Sequence, residues 1–248
     1  MVEGLKHKQF GLIGKNIEYS FSKSYFDKKF SKKTEYKNFK YENFDIESVS
    51  DVKNIFKQKN ISGLNVTIPY KEKIIPYLDK ITTNAKQIGA VNTLIFKDDE
   101  IIGENTDVIG FEIALKLFIK KNAVKALILG TGGASKAVEY VLKKNNIEFI
   151  IVSRNPKINE IHYKEISKKI INYYRLIINC TPLGTFPEIK NFPKIPYNFI
   201  NSKNYLFDLI YNPNQTMFMK KGNEYGAKVS NGHYMLVLQA EASWKLWV

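Results

Sequence analysis

The run Gly130-Thr131-Gly132-Gly133-Ala134-Ser135 follows an apolar, strand-like stretch (Lys125 to Leu129) and opens a helical one. In a dinucleotide-binding fold the first glycine of such a run permits a tight turn. The second lets backbone amides approach a pyrophosphate at the helix N-terminus. Ser135 takes the third slot, where the fold wants a small residue. A tight turn without a ligand is the other reading of these glycines, and the strand-turn-helix context favours the dinucleotide. The next apolar run ends Ile150-Ile151-Val152-Ser153-Arg154-Asn155. An acid at that point would take the ribose hydroxyls of NAD and repel a 2′-phosphate. Arg154 with no acid beside it predicts NADP, against the plainer reading of an exposed surface arginine.

Composition narrows the remaining chemistry. The chain has 248 residues, 44% of them hydrophobic, enough for one large or two medium domains with real cores. Cys180 is the single cysteine, so no internal disulfide and no multi-thiolate metal site can form, and His7, His162 and His233 lie far apart in sequence. Metal catalysis and a Ser-His-Asp triad are poor fits, and no metal is expected. Net charge is +14, and only Arg154 and Arg175 among 38 basic residues are arginine. The lysines are spread along the chain rather than gathered into a basic module with interleaved aromatics. They read as solvated surface that can draw in a small anion, not as a nucleic-acid interface. Apolar runs are too short to cross a bilayer, and the first residues lack a signal-peptide core. The expectation is a soluble cytoplasmic protein without membrane or nucleic-acid partners.

The elements that must carry these groups can be read from periodicity. Strands are expected over 10–14, 36–44, 61–68 (stopped by Pro69), 91–96 and 100–102, the last two joined as a hairpin at Asp98-Asp99. Helices are expected over 22–33, 46–58 and 108–121. From Lys125 onward, near-continuous apolar runs at 125–129, 148–152, 176–179 and 206–208 alternate with helical stretches. They predict parallel strands buried on both faces. A last helix runs from 233 to 248.

Three further clusters precede the glycine turn: Asn65-Val-Thr67-Ile-Pro69-Tyr-Lys71, Gly89-Ala-Val-Asn92-Thr93 and Gly103-Glu-Asn105-Thr106-Asp107-Val-Ile-Gly110. Others surround or follow it: Ser20-Phe-Ser22, Asn179-Cys-Thr181-Pro-Leu-Gly184, Phe207-Asp208-Leu-Ile-Tyr211-Asn-Pro213 with Thr216, and Gly232 through Gln239-Ala240. In this order, over nearly the whole chain, they closely resemble the shikimate dehydrogenase family. The resemblance implies an α/β fold with two domains. Residues 1–106 plus 231–248 would be the substrate domain, with the C-terminal helix returning to it, and 107–230 a Rossmann-like NADP domain. It implies a substrate cleft between them and the reversible NADPH-dependent reduction of 3-dehydroshikimate to shikimate, a step of chorismate and aromatic amino acid biosynthesis.

Residue roles follow from the same resemblance. Lys71 is the implied catalytic lysine, whose ammonium can hydrogen-bond the keto oxygen and stabilise the charge growing there. Asp107 is its implied partner. Ser20 and Ser22 resemble the hydroxyls that bind the substrate carboxylate, with Tyr211 assisting. Asn65, Thr67, Asn92, Asp107 and Gln239 resemble the residues that read the ring hydroxyls. For Asn65, Asn92 and Thr93, capping or turn stabilisation is the competing reading. The implied cofactor set is Gly130, Gly132, Gly133, Ala134, Ser153, Arg154, Thr181 and Gly232.

The chain departs from the family at a few places. Tyr19 stands where the serine motif usually begins with His, Ser153 where Asn usually precedes Arg154, and Tyr234 where a second glycine usually precedes the last helix. His233 reads as a helix N-terminal residue more readily than as an acid–base group. A quinate/shikimate dehydrogenase with relaxed substrate or cofactor choice is the nearest alternative. A nucleotide-binding regulatory module without catalysis is the alternative of another class. A monomer or a homodimer fits equally.

Overall fold

The computed structural model describes residues 7–18, 20–119 and 124–248. Tyr19, which takes the family's usual His position, lies outside them, as do positions 120 and 121 at the end of the helix expected over 108–121. The chain divides into two compact units, 1–106 with 240–248 and 107–239. The later division falls inside the last helix rather than ahead of it at 231.

The first unit contains β1 (Lys8–Gly14), α1 (Phe21–Phe30), β2 (Phe39–Asp45), α2 (Val52–Phe56), β3 (Ile61–Val66), β4 (Lys80–Ile81), α3 (Thr83–Ile88), β5 (Thr93–Lys97) and β6 (Glu100–Glu104). Its sheet runs β2-β1-β3-β5-β6-β4. β1 is parallel to β2 and β3, whereas β5 is antiparallel to β3 and β6. Phe10 to Gly14 are all buried, as a central strand covered on both faces must be. The β5–β6 hairpin turns on Asp98 (φ 52°) and Asp99 (φ 61°), the two left-handed residues that a two-residue turn requires. One face of the sheet packs Ile13, Leu64, Val66, Val91 and Leu94. The other packs Phe10, Phe26, Phe30 and Tyr41 with Trp244 and Trp247 from the chain's end. Gly63 in β3 is the seat for Trp247: a Cβ there would lie 2.3 Å from the indole. The indole Nε1 donates to the Leu94 carbonyl at 3.0 Å.

Several boundaries differ from those read along the sequence. The helix expected over 46–58 is a 3-10 turn at Val49–Asp51 followed by the short α2, because Ser48 and Asp51 form a capping box that starts the turn late. The strand expected from 36 begins at Phe39, since Thr34–Tyr36 form a 3-10 turn. β3 ends at Val66, ahead of Pro69, and β5 begins at Thr93.

The second unit contains α4 (Asp107–Ile119), β7 (Ala126–Leu129), α5 (Gly133–Lys144), β8 (Phe149–Ser153), β9 (Glu160–His162), α6 (Lys168–Tyr173), β10 (Leu176–Asn179), β11 (Tyr205–Asp208), α7 (Met217–Glu224) and β12 (Lys228–Ser230). It ends in α8 (His233–Trp247), which passes to the first unit at Ala240. The sheet runs β12-β11-β10-β7-β8-β9 and every pairing is parallel. Read from the other edge, this is the strand order 3-2-1-4-5-6 of doubly wound dinucleotide-binding sheets. Leu127, Ile177, Leu206 and Phe218 are wholly buried in its core, each side chain contributing about 1.5–3 kcal/mol. No helix among the described residues is long and apolar enough to cross a membrane.

Candidate active site

In an open parallel sheet, ligands bind beyond the carboxyl ends of the strands where the strand order reverses. Here that point lies between β7 and β10. The chain leaves β7 at Gly130, whose N–H donates to the Val152 carbonyl (3.0 Å), and leaves β10 at Cys180, whose N–H donates to the Leu129 carbonyl (2.9 Å). Gly130 has φ +104°, and a Cβ on it would lie 3.0 Å from Thr181 Cγ2. Both conformation and neighbour therefore demand glycine.

Gly132 is different. It caps α5 in extended conformation (φ −82°), and a Cβ built on it meets nothing within 4 Å. The protein itself has no need of glycine there; the space in front of it is open to whatever approaches the helix N-terminus. Gly133 and Ala134 form the first turn, where amide groups point out of the helix. Ser135 is buried, and its hydroxyl donates to the Gly132 carbonyl at 2.8 Å, which explains how serine serves in a slot that wants a small residue. Ser153 ends β8, and its Oγ accepts the Asn155 N–H at 3.2 Å. Arg154 follows, exposed. No acidic side chain lies between the end of β8 and Asn159.

Thr181 is held by Asn179, whose Oδ1 accepts both the Thr181 N–H (3.0 Å) and its hydroxyl (2.7 Å). Asn179 Nδ2 donates in turn to Asp208 Oδ1 at 3.0 Å. Asp208 also accepts from the Ile210 N–H (3.1 Å) and from Thr216 Oγ1 (2.6 Å). Burial pushes its carboxyl up to about 6 despite those donors. Cys180, beside this group, has its thiol raised well above the ordinary range, first by burial and then by Asp208 and Glu139. Gly232 has a packing reason of its own: a Cβ there would sit 2.0 Å from the Leu209 carbonyl oxygen. Tyr234, in place of the family's second glycine, is exposed on the first turn of α8. The His233 N–H is capped by Asn231 Oδ1 at 3.2 Å.

In the first unit, Ser20 is the N-cap of α1, and its Oγ accepts the Ser22 N–H at 3.3 Å. Its O–H is thereby left as a donor at a helix N-terminus, with Ser22 buried in the first turn. Lys71 lies half-buried in the turn segment after β3, its carbonyl accepting the Val91 N–H at 2.8 Å. The Thr67 N–H donates to the Ile13 carbonyl at 2.9 Å.

Asn65 and Asn92 belong to a buried polar network. Asn65 Oδ1 accepts the Tyr41 hydroxyl (2.9 Å), and its Nδ2 reaches the Asn92 carbonyl (3.2 Å), Thr93 Oγ1 (3.3 Å) and Ser243 Oγ (3.0 Å). Asn92 Oδ1 accepts the Thr106 N–H at 2.7 Å and its Nδ2 donates to Thr106 Oγ1 at 3.0 Å. These contacts fix the segment that leads directly into Asp107, the buried first residue of α4. Asn65, Asn92 and Thr93 thus have an internal role as a buried network, which differs from the capping or turn stabilisation set against their substrate role. Tyr41 and Ser243 were not picked out from the sequence; neither sits in a motif, and Ser243 reaches Asn65 across 178 residues of chain. In the second unit Tyr211 is half-buried after β11, while Gln239 is buried on α8 with its Nε2 donating to the Leu236 carbonyl at 2.9 Å.

The sheet order and the glycine turn at its switch point define a two-unit α/β protein of the Rossmann-type dinucleotide-binding class. The shikimate dehydrogenase substrate binding domain matches residues 12–94. The NADP(+) shikimate dehydrogenase of Clostridium botulinum (strain Hall) is 40% identical over 96% of this chain and 95% of its own. A crystal structure of a shikimate dehydrogenase in complex with NADP+ superposes with TM-score 0.86 at 35% identity, over 98% of this chain and 90% of that one. The Thermus thermophilus shikimate 5-dehydrogenase, in complex with NADP(H) and shikimate, gives TM-score 0.83 at 27% identity over 97% and 93%. The chain belongs to the shikimate dehydrogenase family.

Proposed function

We propose that this protein catalyses the reversible NADPH-dependent reduction of 3-dehydroshikimate to shikimate. The observation that carries the reading is 40% identity along 96% of the chain to an NADP(+) shikimate dehydrogenase. The glycine turn at the switch point of a 3-2-1-4-5-6 sheet agrees with it. The residues fit the cofactor: Gly132 leaves open space at the α5 N-terminus where a Cβ would intrude, and Arg154 follows β8 without an acid beside it. Gly130, Gly132, Gly133 and Ala134 would cradle the pyrophosphate, Ser153 and Arg154 the adenosine 2′-phosphate, and Thr181 and Gly232 the nicotinamide side. When bound, NADPH supplies the reducing equivalent.

The chain's own residues do the rest. Lys71 donates a hydrogen bond to the keto oxygen and stabilises the alkoxide as it develops. Asp107 is the carboxylate that partners this lysine. In the oxidative direction the same groups accept the proton. Ser20 and Ser22 take the substrate carboxylate at the α1 N-terminus, assisted by Tyr211. Thr67, Asn65, Asn92, Asp107 and Gln239 read the ring hydroxyls, and a site built from hydrogen-bonding groups rejects analogues that lack the matching hydroxyl. The protein works in the cytoplasm as a monomer or homodimer, with small molecules as its partners.

One assay tests the reading. Absorbance of the reduced nicotinamide is followed with shikimate or quinate, each offered with NADP or NAD. Turnover of shikimate with NADP well above the other three combinations is expected. Faster turnover of quinate, or of shikimate with NAD, would replace it with the relaxed quinate/shikimate reading. No turnover of any pair would leave the non-catalytic nucleotide-binding reading.

A further inference from the structure

We infer that Asp208 is a positioning residue for the nucleotide side: its carboxylate sets which way the Asn179 amide faces, and that amide holds Thr181 beside Gly130. An ionised carboxylate can only accept hydrogen bonds. Asp208 receives Asn179 Nδ2 (3.0 Å) and the Ile210 N–H (3.1 Å) on Oδ1, and Thr216 Oγ1 (2.6 Å) on Oδ2. Asn179 must therefore present its NH2 to Asp208, which turns its Oδ1 toward Thr181. There it accepts both the backbone N–H and the hydroxyl of Thr181. With its proton committed, Thr181 Oγ1 accepts the Leu183 N–H at 3.3 Å, shaping the loop beyond β10. The same carboxylate holds Thr216, whose Oγ accepts the Met219 N–H at 3.3 Å and caps α7. One wholly buried acid thus orders the segments that follow both β10 and β11.

The inference rests on the cofactor reading above, in which Thr181 borders the nicotinamide. Asp208→Asn keeps the shape but supplies an NH2 group that can donate to Asn179 Oδ1. The Asn179 amide can then turn over and oppose the Thr181 N–H with its own NH2. NADPH dissociation constants are measured by reduced-nicotinamide fluorescence, with steady-state KM for both substrates. In Asp208→Asn the Kd and KM for NADPH are expected to rise about tenfold while KM for 3-dehydroshikimate stays within about twofold. Thr181→Val weakens NADPH as well, and adding Asp208→Asn to it is expected to cost less than about twofold more, because the two act through one chain of hydrogen bonds.

An unchanged NADPH Kd in folded Asp208→Asn overturns the inference. So does equal weakening toward both substrates, or full additivity with Thr181→Val. If Asp208→Asn does not fold, Asn179→Ala carries the same readouts, since it leaves Asp208 its Thr216 and Ile210 donors. Failure of the unmutated chain to bind NADPH overturns the cofactor reading itself, and this inference with it.

Discussion

Gly130 and Thr181 stand against each other at the reversal of the second sheet, so close that a single methyl group on Gly130 would lie 3.0 Å from Thr181 Cγ2. The contact joins the ends of β7 and β10, the two strands from which the sheet runs in opposite directions. It also separates two kinds of glycine within one turn. Gly130 is required by the protein's own backbone and Gly132 is not. Gly130→Ala is expected to destabilise the fold by about 1–3 kcal/mol, because alanine is strained at φ +104° and presses on Thr181. Gly132→Ala is expected to cost no more than about 1 kcal/mol, the loss of a preferred N-cap residue, yet to weaken NADPH. Denaturant unfolding and NADPH titration of both variants check this. Equal loss of stability in the two would contradict it.

Arg154 is exposed just beyond β8, and the proposed function assigns it the 2′-phosphate. A hydrogen bond to a charged group is worth about 1.5–3 kcal/mol. Arg154→Ala should therefore lower the ratio of NADPH to NADH kcat/KM by about 10–100-fold. An unchanged ratio would remove Arg154 from cofactor choice.

Lys71 is half-buried and pinned through its carbonyl to Val91, so its side chain can be removed without disturbing the backbone. Lys71→Ala is expected to lower kcat by about 10²–10⁴-fold, the usual span for a proton-transfer group. Circular dichroism should show the fold retained. A near-normal kcat would take Lys71 out of the mechanism.

Asp208 carries a pH signature in stability. Its carboxyl is raised from 3.8 to about 6 in the fold, by burial foremost. Over that interval the native state holds a proton that the unfolded chain has released. This group's contribution is therefore greatest below about pH 4 and falls as pH rises through about 6, with no further change above. Cys180 and Tyr197, on both of which its charge acts, are pushed upward and stay neutral across the window. Relative to Asp208→Asn, the unmutated protein should lose about 1–3 kcal/mol of unfolding free energy between pH 4 and pH 7. Urea unfolding at a series of pH values measures it. A flat or rising difference would mean that the buried group is ionised throughout.

Ser243 touches Asn65, Thr93 and Thr106 at 3.0, 2.8 and 3.0 Å and takes no part in the proposed chemistry. Ser243→Ala strips a partner from a buried network and is expected to cost about 1–2 kcal/mol. Thermal unfolding should report the loss while kcat remains near its original value. A large fall in kcat with unchanged stability would place the serine in the site instead.

What could be read along the chain was what is encoded locally. The glycine run between a strand and a helix, the arginine closing the next strand, and the apolar runs of the second half each depend on a few consecutive residues. Those residues constrain turn geometry, charge and burial without reference to anything distant. The family motifs were legible in the same way, as short strings in a fixed order.

Tertiary structure decided the rest. The strand order 3-2-1-4-5-6, the short strands β4, β9 and β12, and the seat of Trp247 on Gly63 come from pairings between segments far apart in the chain. So do the hydrogen bonds from Asp208 to Asn179 and from Asn65 to Ser243. A buried polar group must find partners wherever the packed chain brings them, and that requirement leaves no periodicity or spacing in the sequence. Residue types announced a dinucleotide turn; only the folded chain showed which glycine the protein needs for itself and which leaves its space open.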